Sequence, residues 1–297
     1  MSAGTKSVGV IGLGIMGGAI AKNLAAAGWH VIGHDIDEGR RNEAAAAGVT
    51  IEASAGAVAA KVTHLLTSLP NPYALSSIVD EIRAARLPQR IIAELSTFAL
   101  EDKTDAQQNL RSAGHVMLDC PLSGTGAQAK TKDLVVYASG DTAAIKGLMP
   151  VFSDFARQAH DLGAFGNGMK MKFIANLLVA IHNVASAEAM VLGMKAGLDP
   201  QQVFNLISAG AGNSRVFELR APMMVQNRYD GDNLTMKNAV WQKDMTVIGE
   251  FAASLNCPTP LFSATGPIYA AAMSTGYAMQ DTGAVCAVLE AMAGVKR

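Results

Sequence analysis

The sequence predicts an α/β N-terminal domain built on a mostly parallel sheet, followed by an all-helical C-terminal domain. Two patterns in the 297-residue chain lead to this fold class. Short apolar runs alternate with helical patterns through the first half, which is typical of a parallel sheet with helices on both faces. From about Gly166 onward the patterns are helical, and no convincing strand is found.

The elements of the first half follow from apolar runs and from glycines that end helices. Ser7–Ile11 and His30–His34 are predicted strands, and each precedes a predicted helix, over 15–27 and 38–47. Glycine follows both helices, and a left-handed residue at that place satisfies the last carbonyl groups. Further strands are predicted at 64–67, 90–93, 116–118 and 134–138.

The second half consists of long helical patterns at 169–195, 200–208, 233–254, 261–275 and 281–292. A glycine-rich turn over 163–168 precedes the longest of them. We therefore expect an α/β domain over 1–165 and a helical domain over 166–297. The apolar run 173–194 contains Asn176, Asn183 and Glu188, which favours a buried helix over a membrane span.

Composition excludes several classes of protein. Half of the residues are hydrophobic and 16% are charged, which is typical of a globular chain. The formal net charge of −1 argues against binding to nucleic acid or to a membrane surface. Three cysteines without a C-x-x-C pair form neither a disulfide framework nor a zinc site, so we expect no metal and a cytoplasmic location.

The strongest local motif is G-x-G-x-x-G, formed by Gly12, Gly14 and Gly17 between the first strand and the first helix. In such a motif the glycines allow a tight turn, a close approach to a pyrophosphate and close packing of the helix on the strand. Asp35 ends the second strand, where a carboxylate can accept hydrogen bonds from a ribose. The motif predicts a dinucleotide site; the alternative is a structural turn beside a surface carboxylate.

Polar residues also recur along the longest predicted helix. Lys172 and Asn176 are four residues apart and share a face, and Asn183 returns to within about 20° of that face. Lys170 points about 160° away from Lys172. Buried lysine and asparagine side chains are costly unless they serve a purpose or find a partner. Spacing alone leaves a solvated polar stripe open as the alternative.

Four segments together resemble the β-hydroxyacid dehydrogenases, which are related to 6-phosphogluconate dehydrogenase. They are GLGIMGGAIAKNL at 12–24, DCPLSG at 119–124, GNGMKMKFIAN at 166–176 and QKDM at 242–245. The resemblance covers nearly the whole chain. It implies a Rossmann-type, dinucleotide-binding N-terminal domain over 1–165 and an all-α C-terminal domain over 166–297 for substrate binding and oligomerisation. A long interdomain helix would join the two, with the active site in the cleft between the domains.

The resemblance also implies roles for individual residues. Lys172 would be the catalytic lysine, with Asn176 orienting the substrate, and Ser123, Gly124 and Thr125 would bind its carboxylate. The residues that would bind the cofactor, NAD, are Gly12, Leu13, Gly14, Ile15, Met16, Gly17, Asp35, Leu69, Pro70, Thr97 and Lys243. Thr97 would approach the nicotinamide ribose.

The predicted function is hydride transfer between NAD and a small 3-hydroxy carboxylic acid, as in enzymes of the 3-hydroxyisobutyrate, threonate or tartronate semialdehyde type. The protein is expected to form a homodimer or homotetramer. The alternatives are an imine or aldehyde reductase on the same scaffold and a non-catalytic dinucleotide sensor. Thr125 stands where the family usually has a second glycine, so the identity of the substrate is left open. Glu94 stands where Asp or Asn is more common.

Overall fold

The computed structural model describes residues 6–231 and 234–297. The chain divides into two compact units, 1–172 and 173–297. This division lies a few residues beyond the expected domain boundary at 165/166. The first turn of the long helix thus belongs to the first unit.

The first unit contains a six-stranded sheet in which all neighbouring strands are parallel. Its strands are β1 (Ser7–Ile11), β2 (His30–His34), β3 (Thr50–Ile51), β4 (His64–Thr67), β5 (Ile91–Glu94) and β6 (Val116–Asp119). The spatial order is β3-β2-β1-β4-β5-β6. The strand order reverses between β1 and β4, and in such sheets ligands bind at the carboxyl ends of the strands beside this point.

Helices connect these strands and cover both faces of the sheet. They are α1 (Ile15–Ala26), α2 (Glu38–Ala46), α3 (Ala55–Lys61), α4 (Pro72–Ala84) and α5 (Leu100–Ser112). Side chains alternate along β1, so Val10 joins a core with Leu24 of α1, whereas Ile11 joins a second core with Ile82 of α4. Both faces of the sheet are therefore buried, as a parallel sheet requires.

A small mixed sheet follows, and only part of it was predicted from the sequence. It consists of β7 (Leu122–Ser123), β8 (Val135–Ala138) and β9 (Gln158–Asp161), accompanied by α6 (Gly126–Lys130) and α7 (Thr142–Phe155). β7 is antiparallel to β8, and β9 is parallel to it. The strand predicted over 134–138 is confirmed as β8, but it belongs to this sheet and not to the parallel one.

The remaining elements are helical. They are α8 (Asn167–Lys195), which crosses the division between the units, α9 (Pro200–Ser208), α10 (Arg215–Gln226), α11 (Asn238–Ser254), α12 (Pro260–Ser274) and α13 (Val285–Ala293). Over the described residues after β9, 162–231 and 234–297, no strand is formed. Lys237 and Asp281 form an isolated β-bridge. α10 was not predicted, and it contains Pro222. The predicted helix start at residue 233 lies outside the described residues.

The long helix α8 is long and apolar enough, by length and composition, to cross a membrane. Its 29 residues nevertheless include four buried polar side chains, those of Lys172, Asn176, Asn183 and Ser186. Asn183 donates to the hydroxyl of Tyr269 at 3.0 Å and to the carbonyl oxygen of Thr282 at 2.9 Å. These hydrogen bonds within the second unit are those of a helix in a protein core.

Candidate active site

The glycine-rich loop between β1 and α1 has the geometry that its motif predicts. Gly12 has a φ of +86°, which glycine adopts readily, and its amide donates to the carbonyl oxygen of His34 at 2.9 Å. A Cβ atom at Gly17 would collide with the carbonyl oxygen of Gly12. The loop therefore turns tightly, and α1 begins in close contact with it.

The same loop leaves space for a phosphate group. A Cβ atom at Gly14 would have no heavy-atom neighbour within 4 Å. Gly14 precedes the first turn of α1 and has no side chain to cap it, whereas Asp37, Ser54 and Asn71 cap the next three helices. The N–H groups and the positive dipole end of an uncapped helix favour an anion. The residues present therefore fit a dinucleotide pyrophosphate.

Asp35 lies just beyond β2 and contacts the glycine-rich loop directly. Its Oδ2 accepts the amide of Leu13 at 2.6 Å, and its Oδ1 accepts the amide of Asp37 at 2.8 Å. The carboxylate is thereby held at the carboxyl end of β2, beside the loop. This is the position at which an acidic residue binds the ribose of a dinucleotide.

The loops that follow β4 and β5 are joined to each other at the same edge of the sheet. The amide of Leu69 donates to Oγ of Ser96 at 2.8 Å, and the amide of Ser96 donates to Oε1 of Glu94 at 2.9 Å. Pro70 is exposed, and Thr97 is half-buried. The structure thus brings Leu69 and Thr97 to neighbouring loops of the first unit.

The proposed substrate loop starts on β7 and ends at the first turn of α6. Ser123 pairs with Val135 in the small sheet, and Gly124 has a φ of +132°. The amide of Thr125 donates to Oε1 of Gln128 at 3.0 Å, so a bound carboxylate would have to compete for this amide. A Cβ atom at Gly126 would collide with the side chain of Ile15, which places the loop beside the glycine-rich loop.

The polar face of α8 is buried, so the solvated stripe that the sequence left open is wrong. Lys172 is 8% exposed, Asn176 is 6% exposed, and Asn183 is fully buried. Lys170, which the helical spacing places on the opposite side, is exposed and donates to Oδ1 of Asn167 at 3.3 Å. Burial distinguishes Lys172 from the neighbouring lysine as a candidate for chemistry.

Asp244 is a residue of this region that the sequence analysis did not select. In the second unit, Nδ2 of Asn176 donates to Oδ2 of Asp244 at 3.0 Å, and both side chains are buried. Lys243, the preceding residue of α11, is half-buried. The segment QKDM already contained Asp244, but only the structure shows that its carboxylate contacts Asn176.

Other reactive groups do not suggest a second kind of chemistry. Burial raises the pKa of the Cys120 thiol well above its usual value, which is the opposite of an activated nucleophile. Among the described residues, no group of three or more His, Cys, Asp and Glu side chains is placed to hold a metal ion.

Comparisons with known proteins identify the family of this chain. Residues 7–166 match the family model for the NAD-binding domain of 6-phosphogluconate dehydrogenase. Residues 166–289 match the model described as NAD-binding of NADP-dependent 3-hydroxyisobutyrate dehydrogenase. L-threonate dehydrogenase of Cupriavidus necator is 30% identical, with 95% of each chain covered. A probable 3-hydroxyisobutyrate dehydrogenase of Mycobacterium bovis is 29% identical, over 97% of this chain and 99% of that protein.

Solved structures extend the comparison to the fold. The 3-hydroxyisobutyrate dehydrogenase of Mycobacterium tuberculosis, solved with L-serine, superposes with a TM-score of 0.86 at 28% identity over 96% of this chain and 99% of that chain. An imine reductase of Bacillus cereus shares the fold at a TM-score of 0.62 and 17% identity over 96% of this chain and 99% of that one. The expected Rossmann-type and helical parts are confirmed, and this chain is an NAD(P)-binding member of the β-hydroxyacid dehydrogenase family.

Proposed function

We propose that this hydroxyacid dehydrogenase oxidises a small 3-hydroxy carboxylic acid with NAD, and that Lys172 is its general base. The observation that carries the proposal is the buried pair of Lys172 and Asn176 on one face of α8. The first turn of α8 is part of the unit that contains the glycine-rich loop. A buried lysine beside an asparagine provides a proton acceptor and a group that can orient it.

The chain's own residues perform the proton transfer in this proposal. The neutral amine of Lys172 removes the proton from the substrate hydroxyl, and in the reverse direction its ammonium returns a proton to the carbonyl oxygen. The nicotinamide, when bound, supplies the hydride acceptor. Asn176 orients the hydroxyl and the amine, and Asp244 fixes the amide of Asn176 through its hydrogen bond. Orientation of this kind lowers the entropic part of the barrier.

The loop over Ser123, Gly124 and Thr125 binds the substrate carboxylate in the same proposal. The Ser123 hydroxyl and the Gly124 amide are the donors that we assign to it. The Thr125 amide joins them if the carboxylate displaces Oε1 of Gln128. Hydrogen bonds to a charged acceptor contribute about 1.5–3 kcal/mol each, so two or three of them also fix the reacting carbon.

Three features support NAD over NADP. The Asp35 carboxylate would repel a 2′-phosphate, and the neighbouring side chain is the apolar, 91% exposed Ile36. Arg41 donates to the carbonyl oxygens of Asp35 at 2.7 Å and Ile36 at 3.0 Å. Arg40 pairs with Glu43 at 3.4 Å. Both nearby arginines therefore have partners already, which weakens the case for a phosphate site.

We further propose the domain roles, assembly and location that the sequence predicts. Residues 1–165 bind the dinucleotide, and residues 166–297 contribute to substrate binding and to a homodimer or homotetramer. An exposed apolar stripe along α8, formed by Met171, Ile174 and Leu178, supports self-association. The protein would act in the cytoplasm, with α8 in its core.

A cofactor-coupled absorbance screen tests the proposed activity. The substrates are 3-hydroxyisobutyrate, L-threonate, glycerate, serine and tartronate semialdehyde, each assayed with NAD(H) and with NADP(H). We expect turnover of at least one 3-hydroxy acid or of its oxidised form, with a higher kcat/KM for NAD(H) than for NADP(H). Reduction of cyclic imines without turnover of any hydroxy acid would contradict the proposal.

A further inference from the structure

A buried ion network lies at the carboxyl edge of the parallel sheet, and the proposed chemistry does not use it directly. Nζ of Lys103, in the first turns of α5, lies 2.7 Å from Oε2 of Glu94 and 2.8 Å from Oδ1 of Asp119. All three side chains are fully buried. Glu94 and Asp119 are the last residues of β5 and β6, and they stand opposite each other in the strand pairing.

The network contains one cation and two carboxylates, so it depends on Lys103. Burial lowers the pKa of Lys103, but Asp119 and Glu94 raise it by more, and the net shift is upward. Cys120 is another ionisable neighbour, and its buried thiol has a strongly raised pKa and stays neutral. Without the ammonium, two like charges would share a buried site, and one of them would take up a proton.

Glu94 connects the network to the loop that carries Thr97. Its Oε1 accepts the amide of Ser96, while Oγ of Ser96 accepts the amide of Leu69. The position of Glu94 therefore sets that of Ser96, the second residue of the loop after β5, and, through Ser96, the loop after β4. This gives a physical reason for a glutamate where the family more often has Asp or Asn: the longer side chain reaches both the Ser96 amide and the Lys103 ammonium.

Asp119 connects the same network to the helix that carries Lys172. Its Oδ2 accepts the amide of Met169, in the first turn of α8, at 2.8 Å. Oγ of Ser139 donates to Oδ2 of Asp119 at 3.2 Å and accepts the amide of Gly168 at 2.9 Å. A carboxylate at a helix N-terminus is favoured by the helix dipole. Met169 is about one turn before Lys172. Anchoring this turn therefore fixes the backbone position from which the Lys172 side chain extends.

We propose that Lys103 is a positioning residue that holds Glu94 and Asp119 together as anions, and thereby fixes both the Ser96–Thr97 loop and the first turn of α8. The proposal rests on the proposed roles of Thr97 and Lys172 for its effect on catalysis. Its structural part concerns only contacts within the first unit. Lys103 itself touches neither substrate nor cofactor in this account.

Lys103→Met tests the proposal, because methionine removes the charge and keeps an unbranched side chain only one atom shorter. In the cofactor-free protein, hydrogen–deuterium exchange of peptides covering 95–98 and 167–170 should be at least about 10-fold faster than in wild type. The ratio of kcat/KM between variant and wild type should fall at least about 5-fold from pH 6 to pH 9. The fall reflects loss of the shared proton, which leaves two repelling carboxylates.

Two further variants separate positioning from simple loss of stability. Adding Glu94→Gln to Lys103→Met removes the repulsion and keeps an acceptor for the Ser96 amide. The double variant should therefore regain slow exchange and part of the lost melting temperature. Its kcat/KM relative to wild type should no longer depend on pH. The effect of Glu94→Gln on the free energy of unfolding should be less favourable in wild type than in the Lys103→Met background. Leu110→Ala, a buried change on the same helix, should lower the melting temperature without altering the pH dependence.

The outcomes distinguish this proposal from the proposed function. If Lys103→Met behaves as Leu110→Ala does, with a pH-independent ratio and no local increase in exchange, Lys103 is merely structural and the proposal is wrong. If Lys103→Met is too unstable to assay, failure of Glu94→Gln to raise its melting temperature also overturns the proposal. Absence of hydroxy acid turnover in wild type would refute the proposed function, while the exchange result would still decide the network.

Discussion

Nδ2 of Asn176 donates a hydrogen bond of 3.0 Å to Oδ2 of Asp244, and both side chains are buried in the helical unit. Because an ionised carboxylate only accepts hydrogen bonds, this contact assigns the Asn176 amide: the nitrogen faces Asp244. The amide oxygen is thereby turned away from Asp244, and in the proposed mechanism it accepts from a hydroxyl or an ammonium. A single contact thus connects the QKDM segment with the candidate catalytic helix.

The first prediction concerns this contact. Asp244→Ala should lower kcat by about 10-fold or more, because a lost buried hydrogen bond costs about 1–3 kcal/mol and leaves the Asn176 amide without a fixed orientation. The Kd for NADH, measured by fluorescence, should change little. Glu250→Ala, an exposed change on the same helix, is the matched control. Unchanged kcat in Asp244→Ala would show that Asn176 needs no such support.

The second prediction concerns the cofactor. Wild type should show a kcat/KM at least about 10-fold higher with NAD than with NADP, because Asp35 would repel the 2′-phosphate. The double change Asp35→Ser and Ile36→Arg should reverse the order, since it removes the negative charge and adds a phosphate-binding guanidinium. The measurement is kcat/KM for each cofactor, with the same series of substrate concentrations in both assays. An equal or higher wild-type value with NADP would contradict the assignment of Asp35.

The third prediction concerns the substrate carboxylate. Replacing the 3-hydroxy acid by its methyl ester or its alcohol analogue should lower kcat/KM by about 100-fold or more, because donors that bind a carboxylate are then left without a partner. Ser123→Ala should lower kcat/KM for the acid and reduce the ratio of kcat/KM for the acid to that for the ester. Equal turnover of the uncharged analogues would remove the carboxylate-binding role from Ser123 and its neighbours.

The fourth prediction concerns the thiols. Burial raises the pKa of Cys286 to about 12 and raises that of Cys120 strongly, whereas Cys257 is exposed. A thiolate-specific reagent at pH 8 should therefore modify one cysteine in the native protein and three after denaturation. Cys257→Ser should abolish the native reaction without affecting turnover. Inactivation by modification of Cys120 in the folded protein would contradict the assignment of this thiol as inert.

Much of the fold was accessible from the sequence, because the relevant elements carry strong periodic signals. The strands at Ser7–Ile11 and His30–His34 have the predicted bounds, and Pro200–Ser208 is the predicted helix. β9, with the sequence QAHD, lacks an apolar pattern, since most of it is exposed. α10 was missed because Pro222 interrupts the helical signal, although its helix continues through that residue. Tertiary contacts stabilise both elements where local pattern does not.

The candidate site was predictable only as far as motifs reach. Gly12, Gly17 and Asp35 have the geometry expected of the dinucleotide motif, and burial separates Lys172 from Lys170 as helical spacing predicts. The contact of Asp244 with Asn176 was not predictable, because 68 residues separate the two. The pairing of Glu94 with Lys103 likewise depends on how β5 and α5 pack. Long-range pairs of polar residues leave no periodic signal in a single sequence.

The central claim is that Lys172 transfers the proton, and a comparison of two lysine variants tests it most directly. Lys172→Met should lower kcat at saturating substrate and cofactor by about 100- to 10,000-fold, the usual contribution of a general acid–base group. Its Kd for NADH should stay within about 3-fold of wild type, since less than 1 kcal/mol of cofactor binding should change. Lys170→Met, on the exposed side of the same helix, should keep near-normal kcat. A Lys172→Met enzyme that retains more than about a tenth of the wild-type kcat would contradict the claim.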